Sequence, residues 1–319
     1  MRRRSTLLAL TLAGAFGLST ALPAQAADQR LFGPDRYATA SAVSQAFEGS
    51  LYSPVYLATG ENFPDALAAS AAAGADQSRV LLTGRYALPQ ATIDELARLD
   101  TFAVYLVGGT GSVSTAVEAQ LGRLGYLVLR LSGQDRYDTA VTAAQVLWED
   151  PDTVFLATGE NYPDALAGAA AAGNQGAPIL LVGRDRLPAP VAEALAPGDP
   201  LGLSPSRFFV LGGEGAVSDA VLDEIRALGH QGATFERLGG ATRYDTAVAV
   251  GRRFFDGSTA AVLAVGDNYP DALAAGPFAA QIDAPLLLTG ATSTPAETRA
   301  ELDRRQPADR WFVGAARPS

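Results

Sequence analysis

The chain has 319 residues, with 34 acidic and 24 basic side chains, one histidine and no cysteine, and its net charge at pH 7 is −10. This balance argues against a nucleic-acid partner, because phosphates are bound by a net basic face. It also excludes a general attraction to anionic membranes or wall polymers, so any anion site must be local. All the basic residues are arginines. Without cysteines there are no disulfides, and the core alone must stabilise the fold.

The first 26 residues have the pattern of a secretory signal peptide. Three arginines at 2–4 precede the mostly apolar stretch Leu7 to Leu18, and Ala24-Gln25-Ala26 fits a cleavage site. We predict cleavage after Ala26 and export. A twin-arginine signal is less favoured, because Ser5-Thr6 stands where an apolar pair is expected. Cleavage removes three arginines, which takes the net charge to −13. No later apolar run approaches the ~20 residues of a membrane span.

Four blocks of sequence recur in fixed order after the signal. The first is RLFGPDRYATA, RLSGQDRYDTA and RLGGATRYDTA, starting at residues 30, 130 and 237. The second is ATGENFPDALAASAAAG, which starts at 58 and returns at 157 and, more loosely, at 264. The third is an apolar segment of the VLLTG type. The fourth is a VGG-type turn with a worn third copy, WFVGAA.

The period of the repeats suits small domains. The arginines of the first block stand at 36, 136 and 243, a spacing too long for a solenoid turn. We therefore predict a signal peptide at 1–26 and three repeats at 27–129, 130–236 and 237–319, the last one truncated at its C-terminus.

Each repeat predicts alternating helices and strands. In the first repeat, a helix from Arg36 is followed by the apolar strand Val55–Ala58, an Ala-rich helix and the strand VLLT. A helix at 91–99, the strand AVYLV, a helix at 114–124 and the strand YLVLRL complete it. Apolar strands separated by helices indicate a parallel sheet covered on both faces. The predicted fold class is α/β, with three tandem homologous domains.

The second block has the composition of a helix start. With Asn62 as N-cap, Pro64 falls in the first turn and Asp65 can reach back to the cap amide. The small residues that follow would let the helix lie close to a sheet or another helix. The alternative is a ligand site, because ligands of α/β sheets bind where strands end and helices begin.

The first block predicts a second capped helix. Asp35, Asp135 and Thr242 precede an invariant Arg-Tyr pair, and Asp and Thr share the ability to cap a helix. We hypothesise that each arginine of the pair forms a charge-assisted hydrogen bond to the second-block aspartate of its own repeat. The three proposed pairs are Arg36 with Asp65, Arg136 with Asp164, and Arg243 with Asp271.

The fourth block, GGTGSVS at 108–114 and GGEGAVS at 212–218, resembles a dinucleotide-binding glycine turn. The full G-x-G-x-x-G spacing is missing, and no acidic residue stands at the expected downstream strand end. We interpret the block as a tight strand-to-helix turn with Ser114 or Ser218 as N-cap, and we predict no cofactor.

Catalytic groups are scarce. The single histidine, His230, cannot build a histidine-based zinc site of the hydrolase type, and it has no nucleophile elbow nearby. The absence of lysine excludes Schiff-base and P-loop chemistry. A carboxylate pair such as Glu61 with Asp65 remains open. We predict that the chain is not an enzyme and holds no metal.

Together the four blocks resemble the type 2 cell wall-binding repeat family of Gram-positive bacteria. The resemblance implies a secreted protein held non-covalently on the wall by three Rossmann-like or Toprim-like domains packed as a pseudo-trimer. It implies an anionic secondary wall polymer as partner. It also associates the third block with anchoring, here Val80, Leu81, Leu82, Ile179, Leu180, Leu181, Leu286, Leu287 and Leu288. We interpret those residues as a buried strand, so that removing their side chains would first destabilise the fold.

The polymer-binding candidates are the constant polar and aromatic residues of the first two blocks: Arg36, Tyr37, Asn62, Asp65, Arg136, Tyr137, Asn161, Asp164, Arg243, Tyr244, Asn268 and Asp271. The partner would be an anionic wall polymer or peptidoglycan. The alternative function is an extracellular small-molecule or sugar-binding protein, or a structural coat component. A deep closed pocket would favour a small ligand, and shallow grooves between repeats would favour a polymer.

The chain ends predict a closed ring. A strand ending in Arg-Leu closes each of the first two repeats, whereas the third stops before such a strand and has Gly314-Ala315 in place of the GG pair. The unassigned strand Gln29–Phe32 precedes the first repeat. We predict that it supplies the strand that the third repeat lacks.

Overall fold

The structure, a computed structural model, describes residues 27–47, 53–198 and 202–317. The predicted signal peptide lies outside these residues. Within them, the strands form three separate four-stranded sheets in which every strand pair is parallel. The predicted α/β class with three tandem domains is confirmed. None of the described helices is long and apolar enough to cross a bilayer.

The helices and strands follow the predicted order. The chain begins with β1 (Ala27–Leu31), α1 (Arg36–Gln45), β2 (Val55–Thr59), α2 (Pro64–Ala75), β3 (Val80–Thr83), α3 (Gln90–Leu99), β4 (Ala103–Val107), α4 (Thr115–Arg123) and β5 (Leu127–Leu131). It continues with α5 (Arg136–Leu147), β6 (Thr153–Thr158), α6 (Pro163–Asn174), β7 (Ile179–Val182), α7 (Ala189–Ala194), β8 (Arg207–Leu211), α8 (Asp219–Ile225), a π-helical turn (Arg226–His230) and β9 (Thr234–Leu238). It ends with α9 (Arg243–Phe254), β10 (Ala260–Val265), α10 (Tyr269–Gln281), β11 (Leu286–Thr289), α11 (Ala296–Arg305) and β12 (Asp309–Val313).

The three sheets share one topology. Their strand orders are β3-β2-β4-β5, β7-β6-β8-β9 and β11-β10-β12-β1. In each sheet the first strand of the repeat lies between the second and the third, so the chain reverses its direction of travel there. Such a switch point leaves a crevice at the carboxyl ends of the strands. The last strands β5 and β9 span the predicted boundaries at 129/130 and 236/237.

The N-terminal strand closes the third sheet, as predicted. β1 pairs with β12 in parallel, with Ala27 opposite Asp309 and Leu31 opposite Val313. Arg310 adds a bidentate ion pair to Asp28, with Nε at 2.6 Å and Nη2 at 3.0 Å from its carboxylate oxygens. The first and last strands of the described chain therefore belong to one sheet.

Three Ala-rich helices form the centre of the molecule. α2, α6 and α10 each contact the other two, and every residue of α2 from Pro64 to Gly74 is buried. Small side chains permit this close approach: a Cβ on Gly74 would lie 2.8 Å from the Cα of Gly173 on α6. A helix that is buried all round carries no polar stripe, which explains the low amphipathicity of this sequence.

The outer contacts run cyclically around this centre. The first-block helix of each repeat packs on the central helix of the preceding one: α5 on α2, α9 on α6, and α1 on α10. The third-block strands do the same, because β7 contacts α2, β11 contacts α6, and β3 contacts α10. The packing thus forms a pseudo-trimer within one chain.

The predicted caps of the first-block helices are confirmed. Asp35 Oδ1 accepts from the N–H groups of Tyr37 and Ala38 at 2.9 and 2.8 Å, and Asp135 does the same in the second repeat. Thr242 forms a full capping box with Asp245. These bonds satisfy N–H groups that a helix start otherwise leaves without partners.

Candidate functional site

The second-block segments converge at one end of the central helices. The rings of Phe63, Tyr162 and Tyr269 pack against one another with centroid separations of 5.5, 6.1 and 5.2 Å. Tyr162 also donates its hydroxyl to the carbonyl of Asp267 at 3.0 Å. The invariant aromatic position therefore marks the pseudo-threefold axis. These three residues were not among the predicted site residues. The signal in the sequence was an aromatic residue before Pro-Asp in every copy of the second block.

The predicted role of Asn62 as N-cap is wrong. α2 starts at Pro64 after Phe63, whose φ and ψ of −88° and −32° are already helical. Asn62 Oδ1 instead accepts from the N–H of Phe63 at 3.0 Å, and Asn161 repeats this bond. Asn268 occupies the N-cap position without a side-chain capping bond. All three asparagines are exposed on the surface.

The second-block aspartates bind the fourth-block glycine turn rather than the cap amide. The Ser112 side chain hydrogen-bonds to Asp65, and a Cβ on Gly108 would lie 2.5 Å from Asp65 Oδ2. Burial raises the pKa of the Asp65 carboxyl, although Ser112 and Arg136 lower it. The carboxylate thus lies at the switch point, where a dinucleotide fold would hold a phosphate.

The same contact recurs in the other repeats. A Cβ on Gly212 would lie 2.5 Å from Asp164 Oδ2, and one on Gly314 would overlap Asp271. Gly108, Gly212 and Gly314 all have positive φ, so only glycine fits. Asp271 accepts a hydrogen bond from the backbone of Ala315. The Gly-Ala copy therefore keeps the turn, because only its first residue must be glycine.

Ser114 and Ser218 precede α4 and α8 as predicted, yet their hydroxyls make no capping hydrogen bond. Their backbone N–H groups donate instead to the carbonyls of Arg85 and Arg184, at 2.8 Å each. Both serines therefore occupy the predicted N-cap positions, but strand-end contacts of the backbone, not capping by the side chains, fix the turn.

The predicted arginine–aspartate pairs within each repeat are also wrong. Nη1 of Arg36, Arg136 and Arg243 donates to the carbonyl at the end of its own repeat's first strand, which is that of Gly60, Gly159 or Gly266. Arg243 also forms an ion pair with Asp267 of its own repeat at 3.1 Å. For the other two arginines the electrostatic partner is the aspartate of the preceding repeat. Arg136 lowers the pKa of Asp65, and Arg36 lowers that of Asp271, against the larger effect of burial.

The tyrosines of the Arg-Tyr pairs pack beside the arginines. A Cβ on Gly60 would lie 3.0 Å from both Arg36 Cδ and Tyr37 Cε1. Gly159 and Gly266 stand in the same relation to the pairs Arg136-Tyr137 and Arg243-Tyr244. The pair is constant because it covers a glycine at the strand end of its own repeat.

Open clefts lie at the junctions between repeats. The cleft between the first and second repeats has a volume of about 250 Å³ and is lined by Asn62, Asp65, Ser112, Gln134, Asp135 and Arg136. An equivalent cleft of about 440 Å³ between the third and first repeats includes Arg30, Arg36, Asn268, Asp271 and Arg317. Exposed side chains form their rims. The sequence candidates from adjacent repeats are therefore brought together at junctions, not within repeats.

The residues considered as catalytic candidates make structural contacts in the described part of the chain. No group of three His, Cys, Asp or Glu side chains among the described residues could hold a metal ion. His230 Nε2 lies 2.9 Å from the carbonyl oxygen of Leu195, and its ring packs edge-on against Phe208. Glu61 accepts from the backbone N–H of Arg85 at 3.1 Å, while Asp65 is engaged by Ser112.

A family model described as Cell wall binding domain 2 (CWB2) matches residues 30–118, 130–222 and 237–314. The chain belongs to this family. Two solved structures, Cwp6 and Cwp8 from Clostridium difficile, match it with TM-scores of 0.81 and 0.78, each at 27% identity. The matches cover 91% and 90% of this chain, and 46% and 49% of those chains.

Two curated relatives come from Bacillus subtilis (strain 168). N-acetylmuramoyl-L-alanine amidase LytC is 27% identical over 301 residues, which cover 93% of this chain and 58% of the relative. The Amidase enhancer is 28% identical over 274 residues, which cover 86% of this chain and 36% of the relative. This CWB2 chain thus spans little more than half of LytC and about a third of the Amidase enhancer.

The third-block strands of this CWB2 chain are buried. All nine apolar residues associated with anchoring are at most 2% exposed. In β7, Ile179 and Leu181 face the shared core, and Leu180 faces the outer helices of its own repeat. Both faces of the strand are therefore covered, and none of these side chains can touch a polymer in this conformation.

Proposed function

We propose that the chain is a non-catalytic protein that attaches, outside the cell, to an anionic polymer of the cell wall. It would do so through one surface, the ring face, which consists of the axial aromatics, the three exposed asparagines and the arginines Arg36, Arg136 and Arg243. The observation that carries the proposal is the recurrence of the junction cleft, in which an asparagine and an aspartate of one repeat meet the arginine of the next.

The clefts share one face because the central helices run in the same direction. Their N-terminal aromatics meet at the axis, and their opposite ends meet near Gly74, Gly173 and Ala280. A polymer with a repeating unit can then occupy more than one cleft at a time. After the first contact the others are intramolecular, so weak single sites give useful total affinity.

The charge distribution supports an electrostatic contact made locally. With the predicted signal removed the chain carries −13, so overall attraction to a polyanion is absent. Guanidinium groups in the clefts offer planar, paired donors to phosphate or carboxylate. Exposed contacts of this kind weaken as salt rises.

The relatives fit a binding role. We infer that the segment of the amidase LytC matched here is its wall-binding portion, and that the present chain shares that portion. The open rims of the clefts favour a polymer over a small enclosed ligand. The rival functions, a small-molecule or sugar-binding protein or a coat component, are outcomes of the test below.

The test is sedimentation of residues 27–319 with purified Gram-positive cell walls, before and after acid removal of the secondary polymers, over roughly 50 to 500 mM salt. We expect co-sedimentation that is lost on stripping and weakened by salt. Binding that survives stripping would identify peptidoglycan as the partner. Absence of binding to either wall preparation would contradict wall attachment and favour the rival functions.

A matched pair of variants locates the contact. The triple change Asn62→Ala, Asn161→Ala and Asn268→Ala alters three exposed side chains on the ring face. Gln175→Ala alters an exposed side chain at the opposite end of α6. We expect the triple variant to sediment less at an unchanged melting temperature, and Gln175→Ala to behave as the unaltered protein. Equal behaviour of the two would place the contact elsewhere.

The buried third-block strand should affect binding only through stability. Leu181→Ala leaves a cavity in the shared core and should lower the free energy of unfolding by about 3 kcal/mol. We expect its wall binding, measured at a temperature where urea titration shows it folded, to equal that of the unaltered chain. Loss of binding by the folded variant would show that this strand contacts the polymer.

A further inference from the structure

The closing strand of each sheet carries an arginine at the same position. Arg130 on β5 lies 2.7 Å from Glu118 on α4, and Arg237 on β9 lies 2.7 Å from Asp219 on α8. Each also donates to carbonyls of the adjacent glycine turn. At two junctions, therefore, this cation is neutralised by an acid on the helix that precedes its strand.

Arg30, the equivalent on β1, has no such partner. Its Nη2 donates to the carbonyl of Gly314 at 3.4 Å, and its guanidinium lies 4.3 Å from the centroid of the exposed Phe32 ring. Neither Arg30 nor the nearby Arg317 forms an ion pair with any residue that the structure describes. Both line the cleft between the third and first repeats.

A second position distinguishes the same junction. The residue after the Arg-Tyr pair is Asp138 in the second repeat and Asp245 in the third, but Ala38 in the first. Asp138 accepts from the N–H of Gln134 at 2.7 Å, and Asp245 completes the capping box of α9. Two repeats therefore carry a carboxylate two residues after their arginine, where the first repeat has a methyl group.

The third–first cleft consequently collects positive charge. Arg30, Arg36 and Arg317 line it, against two acids. Asp35 already accepts two backbone hydrogen bonds as the cap of α1. Asp271 is 6% exposed and lies beneath the glycine turn. The charged side chains that remain available to a ligand are cations.

We propose that the three junctions are chemically unequal and that the third–first cleft is the primary site for an oxyanion, with Arg30 and Arg317 as its ligands. The inference rests on the proposed function in that the wall polymer would supply the anion, as a phosphate or a carboxylate group. The other two clefts, in which Arg130 and Arg237 are neutralised by Glu118 and Asp219, would add weaker contacts. Two guanidinium groups beside one cleft match the paired oxygens of either anion.

The direct test is a titration of ¹⁵N-labelled protein with glycerol phosphate or glucuronate, followed through the arginine Nε–Hε signals. We expect the signals of Arg30 and Arg317 to shift at lower ligand concentration than those of Arg130 and Arg237. The more strongly binding compound identifies the class of anion. Equal shifts at all four arginines, or none at Arg30 and Arg317, would overturn the proposal.

A charge exchange tests the same site on cell walls. Ala38→Asp gives the first repeat the DRYDTA sequence of the second. It adds a carboxylate two residues after Arg36 and one before Thr39, both of which line the cleft. Asp138→Ala makes the reverse change at the first–second junction. We expect Ala38→Asp to weaken wall affinity roughly fivefold, the scale of one exposed charge contact, and Asp138→Ala to leave it unweakened.

The sedimentation and titration experiments test wall attachment and the inequality of the junctions separately. If the unaltered protein fails to sediment with walls, the proposed function is wrong, and the arginine signals still decide whether the cleft is an anion site. If the protein sediments and Ala38→Asp binds as tightly as the unaltered chain, with its melting temperature retained, the inequality of the junctions is wrong while wall attachment stands.

Discussion

Gly74→Leu should destabilise the packing of all three repeats, lowering the free energy of unfolding by about 3 kcal/mol or more. Gly74 lies where α2 crosses α6, and a Cβ there would be 2.8 Å from the Cα of Gly173 and 3.2 Å from the Cβ of Ala280 on α10. A backbone atom and a methyl group cannot move away as a long side chain can. The larger residue must therefore push the central helices apart.

The matched control is Gly122→Leu on α4, where a Cβ would meet nothing within 4 Å. Both variants replace a helical glycine by the same helix-forming residue. In open space this change should stabilise the helix by up to about 0.8 kcal/mol. Urea titration of the two variants measures the difference. If Gly74→Leu were as stable as Gly122→Leu, the three central helices would not pack as closely as described.

Helices, strands and first-block caps were predictable because they depend on local sequence. Asp35 caps α1 through bonds to residues two and three positions later, and no tertiary contact decides them. The pairing of β1 with β12 was also predictable. Two repeats end in an Arg-Leu strand, and the only unmatched copy of that strand stands before the first repeat.

The junctions could not be predicted because a repeat specifies residue types but not which copy they meet. Arg136 and its aspartate were the right kinds of residue, yet the aspartate that it influences is Asp65 of the preceding repeat. Within one repeat the arginine instead reaches a strand-end carbonyl. Because the repeats pack cyclically, an arginine lies near the aspartate of the neighbouring repeat and not near that of its own. The repeat sequence is the same in either case, so it could not distinguish the two arrangements.

The axial aromatics illustrate the same limit. The sequence around Phe63 is that of a helix start. Nothing in that sequence places the ring of Phe63 against the rings of Tyr162 and Tyr269. The contact exists because three copies of one surface position meet on an axis. The low amphipathicity of the central helices was the sequence signal that they are surrounded on all sides.

Glu301→Gln should produce a loss of stability that depends on pH. The carboxylate is 0% exposed and accepts hydrogen bonds from Arg252, Arg304 and Arg305 at 2.6 to 3.0 Å. Burial would raise the pKa of this carboxyl, but the three arginines outweigh burial and lower it to about 2. Because the pKa is depressed on folding, the stabilisation is complete above about pH 4.5 and disappears as pH falls towards 2.

The full shift corresponds to ~3 kcal/mol. Since Arg252 and Arg304 are 53% and 40% exposed, water screens part of the interaction, and we expect a loss of about 2 kcal/mol for Glu301→Gln at pH 7. Urea titrations at pH 7 and pH 2.5 should show the difference between the two proteins shrinking at the lower pH. Glu193→Gln, an exposed residue of the shorter helix α7, serves as the control and should show little difference at either pH. A loss for Glu301→Gln that is as large at pH 2.5 as at pH 7 would mean that packing, not charge, makes this side chain stabilising.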